Sequence, residues 1–152
     1  MLAAFDAALR DVGVANYNLI RLSSVIPAGS TLTKAHGPIT PPGHWGDRLY
    51  VVLADARTDT PGTDAWAGLG WIQDPHTGRG LFVEHEGYTE VQVRADIEDS
   101  LNSLQHGRDR AGEPLTERQT ITAGTTCSDQ PACALTIAVF AAEPWAPERL
   151  LR

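Results

Sequence analysis

No apolar run in this 152-residue chain approaches the roughly 20 residues that a membrane-crossing helix needs. Basic residues are also scarce. Lys and Arg number 12 against 19 Asp and Glu, a net charge of -7, so the basic face that nucleic acid requires is missing. The two cysteines, Cys127 and Cys133, bracket SDQPA, a spacing that fits no common zinc or redox pattern. Core or hairpin thiols are expected there. The five histidines form no His-x-x-x-His pair, so no metal is expected. Neither a Gly-x-Gly-x-x-Gly nor a phosphate loop is present, which leaves a nucleotide cofactor unsupported. A serine-hydrolase triad lacks its Gly-x-Ser-x-Gly elbow. The opening MLAAFDAALRDVG has no basic start and carries Asp6 inside its apolar pattern, so it does not read as a secretory leader. A cytoplasmic protein with reduced thiols is the expectation.

What is present suits one folded domain spanning 1–152. The chain is 42% hydrophobic and 20% charged, with the length to bury a core. Leu2, Phe5, Ala8, Leu9 and Val12 recur at helical spacing over 2–12, and Gly13 follows where a left-handed cap is wanted. A strand is predicted over 17–24, and Pro27 to Ser30 is a turn. Residues 31–45, rich in Pro, Gly and His, read as a long irregular loop. Strands are predicted over 48–56, 65–74, 81–87, 118–127 and 132–142, the last apolar enough to be covered on both faces. Val93, Ile97, Leu101 and Leu104 mark a helix over 89–106. The tail from Glu143 suggests no element. The helices are grouped rather than alternating with strands. The class is therefore α+β, with an antiparallel or mixed β-sandwich core flanked by helices in αββα-type layers.

Within YNLIRLSSVIPAGS, Tyr17 to Ser30, the first strand ends in two serines whose hydroxyls must find partners or be solvated. On their own Ser23 and Ser24 mark a turn. Their flanks say more. LAAFDAAL from Leu2, GVANYNLIRLSSVIP from Gly13, GLFVEHEG from Gly80 and CALTIAVFAA from Cys133 resemble, in order, the pyruvoyl-dependent arginine decarboxylases.

That resemblance implies self-cleavage between Ser23 and Ser24 into chains 1–23 and 24–152. The Ser24 hydroxyl would attack the Ser23 carbonyl, and elimination and hydrolysis would leave a pyruvoyl group at position 24. A ketone so placed can form a Schiff base with an amino acid and accept the electrons released with CO2. It replaces pyridoxal phosphate, and no separate cofactor is called for. The implied reaction converts L-arginine to agmatine plus CO2. By the same resemblance Glu84 returns the proton to Cα, Asp6 binds the guanidinium, and Asn18 assists near the pyruvoyl group. Leu2 and Tyr17 fall at substrate-binding positions. The family also implies a homotrimer, or a dimer of trimers, with active sites between subunits. Asn18 and Ser24 would stand roughly 20 Å apart on a straight strand, which permits a site shared by two chains.

Departures from the family pattern keep two alternatives open. A further N-terminal segment with a strand usually precedes the first helix, which here begins almost at Met1. Ala15 stands where glycine is common, with Tyr17 close behind, so added bulk could change the amine accepted. The alternatives are the same chemistry on another amino acid, and a non-catalytic trimeric homologue that binds a cationic metabolite.

Overall fold

Leu2, Phe5, Ala8, Leu9 and Val12 predict the first helix, and α1 spans Leu2–Asp11. It ends in a Schellman turn. The Gly13 N–H donates to the Arg10 carbonyl at 3.0 Å and the Val14 N–H to the Leu9 carbonyl at 2.9 Å. Gly13 has φ +85°, and a Cβ there would stand 2.1 Å from the Ile39 carbonyl oxygen, so no other residue fits. The structure, a computed structural model, describes residues 1–113 and 115–145.

Eight elements follow α1: β1 (Asn18–Arg21), β2 (Val25–Ile26), β3 (Arg48–Thr58), β4 (Asp64–Gln73), β5 (Gly80–Gly87), α2 (Glu90–Arg110), β6 (Glu117–Thr126) and β7 (Ala132–Glu143). One sheet has the order β1-β3-β7, with β1 parallel and β7 antiparallel to β3. The other has the order β2-β5-β4-β6 and is antiparallel throughout.

Strand alternation sorts the side chains between layers. Along β7, Ala134, Ala138 and Phe140 meet Val52, Trp71 and Phe82 between the sheets. Leu135, Ile137 and Val139 turn the other way, onto Leu9 and Val14 beneath α1. On the far side Val93, Ile97 and Leu101 of α2 pack on Ile72, Leu81 and Val83. A Cβ at Gly70 would lie 2.2 Å from Ile97 Cγ2, so the small residues of β4 are where the helix approaches the sheet. The layers run α, β, β, α, as the sequence predicts.

Three details differ. The strand expected over 17–24 is shorter, β1 ending at Arg21, and a separate two-residue strand, β2, begins at Val25 in the other sheet. The second helix runs on to Arg110, because nothing in its polar last turn shows a periodicity that could have marked the extension. β7 has both faces covered as expected, but only Ala134, Leu135 and Thr136 are fully buried, because it is an edge strand. The tail from residue 146 lies outside the described residues. Among the described residues no helix is long and apolar enough to cross a membrane.

Candidate active site

The chain changes sheets at the two serines. The Leu22 N–H still donates to the Val51 carbonyl of β3 at 2.9 Å. Two residues later the Ser24 carbonyl accepts from the Phe82 N–H of β5 at 2.8 Å. The Ser23–Ser24 peptide therefore spans the gap between the layers, held at both ends by ladder hydrogen bonds. Making that crossing places Ser24 at φ +64°, the one positive φ at a non-glycine residue among those described. Such a conformation costs about 1–3 kcal/mol and persists only where the surroundings impose it. Here two sheets impose it.

Glu84 receives the other end of Ser24. Its carboxylate accepts the Ser24 hydroxyl proton in a direct hydrogen bond. Val25 and Ile26 pair with Leu81 and Gly80, so β2 ends one step short of Phe82 and leaves Glu84 beside the serine. Both side chains are half-buried. Glu84 shares a face with Phe82, whose ring meets Trp71 at 5.9 Å and Phe140 at 6.0 Å between centroids. The carboxylate thus has apolar ground on one side and an open flank on the other, because β5 has no outer strand partner beyond β2 among the described residues. A carboxylate at this position can take the hydroxyl proton of a nucleophilic serine. It can equally exchange a proton with any atom attached at position 24.

The remaining expected residues gather elsewhere. Asn18 opens β1, its side-chain amide donating to the Gly46 carbonyl and its N–H to the Asp47 carbonyl at 2.8 Å. The Tyr17 hydroxyl donates to the Pro41 carbonyl at 2.8 Å. Four residues of strand separate Asn18 from Leu22, about 13 Å. Asp6 lies on the outer face of α1, paired with Arg10 at 3.0 Å, and Leu2 on the same helix is 77% exposed. Within one chain, therefore, Ser23, Ser24 and Glu84 meet, whereas Asn18 with Tyr17, and Asp6 with Leu2, occupy other parts of the surface. Trp45 is 83% exposed beside Gly46. His85 is half-buried: it faces α2, where its Nε2 lies 2.8 Å from Ser100 Oγ.

Two contributors escape any reading of side chains. They are the Phe82 N–H that holds the Ser24 carbonyl and the Val51 carbonyl that holds Leu22. The only available signal was the strand pattern on both sides of the serines. Cys127 and Cys133 are free thiols; burial first, and the neighbouring Asp55 charge second, push the Cys133 thiol above its ordinary range.

Comparison with known proteins matches the chain to a family. A family model described as pyruvoyl-dependent arginine decarboxylase covers residues 1–144. The pyruvoyl-dependent arginine decarboxylase of Halobacterium salinarum is 40% identical over 144 residues, 91% of this chain and 84% of that protein. Its namesake in Thermococcus kodakarensis is 34% identical over 142 residues, 91% of this chain and 85% of that one. A solved pyruvoyl-dependent histidine decarboxylase gives a TM-score of 0.46 at 17% identity, covering 68% of this chain and 53% of that one. Nothing is carried over from that looser likeness.

Proposed function

The chain belongs to the pyruvoyl-dependent arginine decarboxylase family, and from that membership we propose that it cleaves itself between Ser23 and Ser24 and decarboxylates L-arginine to agmatine. One observation carries the reading: the Ser24 hydroxyl, in a backbone bent between two sheets, is hydrogen-bonded to Glu84.

In the processing step Glu84 takes the Ser24 hydroxyl proton as Oγ attacks the Ser23 carbonyl. The Ser23–Ser24 C–N bond breaks, an ester C–O bond forms, and the Ser24 nitrogen leaves as an amine. Removal of the Ser24 Cα proton then expels the Ser23 carboxylate and leaves a dehydroalanine. Water replaces its nitrogen, releasing ammonia and leaving a ketone. The products are chains 1–23 and 24–152.

The residues present fit a ketone there. The Phe82 N–H already anchors the carbonyl of residue 24, and Glu84 stands at its side chain. That pyruvoyl group supplies an electron sink for the bond lost as CO2. Glu84, proton in hand, is placed to protonate Cα.

Asp6 is the proposed guanidinium site, and Arg10 already occupies it as a stand-in. An exposed pair of this kind is worth about 0–1 kcal/mol, so a substrate guanidinium can displace it. Leu2, beside Asp6 on α1, and Tyr17, beside Asn18, are the further proposed substrate-binding residues. Asn18 spends one amide N–H on Gly46 and keeps a second for an oxyanion at residue 23 or for the substrate.

Asn18 lies too far from Ser24 along β1 to serve it within one chain, so the assembly we propose is a homotrimer, or a dimer of trimers, with Asp6 and Asn18 of one protomer facing Ser24 and Glu84 of the next. The exposed Leu2 and Val25, and the unpaired flank of β5, support such a contact. Cytoplasmic residence suits the two free thiols. The test is intact-mass measurement of the purified chain, followed by CO2 release from arginine, lysine, ornithine and aspartate. Two fragments, the longer lacking an ordinary N-terminal serine, with turnover highest on arginine, are expected. An uncleaved chain ends the proposal, and turnover highest on another amino acid replaces the substrate.

A further inference from the structure

A cavity of about 800 Å³ lies between the two sheets along the free edge of β7, bordered by residues 30–37. Protein cores rarely leave voids much larger than a water molecule, and ligand sites run to about 300–1,000 Å³. Leu69, Trp71, Phe82 and Phe140 supply apolar wall.

Two polar groups there lack the partners their chemistry calls for. The Lys34 ammonium sits 5.1 Å from the Trp71 ring centroid and donates to the Thr120 carbonyl at 3.0 Å. An ammonium has three donors, so two remain. No carboxylate pairs with Lys34 among the described residues. Thr136, 5% exposed, lies on the wall of the cavity, on the face of β7 that Ala134 and Ala138 turn inward. Its Oγ1 is buried without a hydrogen-bond partner. A buried hydroxyl left in that state is destabilising, which a bound oxygen would relieve.

We propose that this cavity binds an amphipathic monocarboxylate. Its carboxylate pairs with Lys34, its hydrocarbon lies against Trp71, Phe82 and Phe140, and an oxygen along the chain, where the ligand has one, meets Thr136. The alternatives fit worse. A cationic amine would meet the ammonium. A nucleotide or a dicarboxylate would need further cations, and Lys34 and His36 are the only basic side chains on the wall. The ligand's charge is opposite to that of arginine and the cavity does not include Ser24 or Glu84, so the proposal does not depend on the decarboxylase reading.

Isothermal titration calorimetry of the full chain with decanoate, ω-hydroxydecanoate and decylamine tests it. Both acids are expected to bind with Kd below about 1 mM, with the hydroxy acid the tighter and the amine silent. Lys34→Met, a change at an exposed side chain, is expected to weaken both acids about tenfold or more. Thr136→Val, which exchanges the hydroxyl for a methyl group of similar size, should erase the advantage of the hydroxy acid. The proposal is overturned if neither acid binds at about 1 mM, if decylamine binds as well as decanoate, or if Lys34→Met leaves the affinities unchanged. A hydroxy-acid advantage that survives Thr136→Val removes Thr136 from the site.

Discussion

Replacing Glu84 by Gln keeps the shape and polarity of the side chain but removes its ability to take a proton from Ser24. Two magnitudes separate the chemical consequence from the structural one. General-base assistance by a positioned carboxylate is worth about two to four decades in rate, or about 3–5 kcal/mol of barrier. Ordinary hydrogen bonding to the serine is worth only about 0.5–1.5 kcal/mol, and the amide oxygen of Gln retains part of that. For a chain of this length about 1 kcal/mol moves Tm by about 2–4 °C. Glu84→Gln should therefore melt within a few degrees of the parent while its cleavage slows at least about a hundredfold. The assay is intact-mass spectrometry over time on freshly purified protein, scoring the uncleaved chain against the fragments 1–23 and 24–152. A Glu84→Gln protein that cleaves at the parent rate would refute the assignment, since the contact between Ser24 and Glu84 would then be geometry without chemistry.

Mixing an Asn18→Ala protein with a Ser24→Ala protein should restore decarboxylation in co-assembled oligomers, because each supplies what the other lacks; if refolded mixtures stay inactive, the shared site is wrong. Gly70→Ala drives a methyl group to 2.2 Å from Ile97 Cγ2 beneath α2, and should destabilise by about 1–3 kcal/mol in chemical denaturation. The Asp74 carboxyl is held below its ordinary value of 3.8, first by the Thr77 hydroxyl and then by the His76 N–H. Its contribution is present above that value and lost as pH falls through the folded value. Asp74→Asn should thus be less stable than the parent at neutral pH, with the gap in Tm closing in strong acid; a gap that persists unchanged there would contradict this account.

Much of the architecture was legible because a strand with a layer on each side reads as a short, nearly continuous apolar run. RLYVVLADA and ACALTIAVFAA announced β3 and β7, and AWAGLGWIQ announced β4. Glu84 has the parity of Phe82, and that face of β5 borders Ser24. Less was legible at the serines themselves. Extended residues run on both sides of Ser23, and nothing in their hydropathy distinguishes one strand from two in different sheets. That division depends on β3 and β5, which lie 25 or more residues downstream. The left-handed turn at Ser24 was equally hidden, because serine is not a residue that advertises positive φ. The placement of Asn18 away from Ser24 was foreshadowed by their spacing, although the spacing alone left its partner open.

The sheet-to-sheet crossing also decides what becomes of the two pieces after the proposed cut. The short one would keep α1 and β1 docked on β3 and β7, while the long one would begin at β2, already laced to β5. No covalent link between them would survive. Heating the mature enzyme would therefore shed a 23-residue peptide that the large fragment must recapture in solution, so denaturation becomes a one-way exit in dilute protein even where the uncut precursor renatures freely.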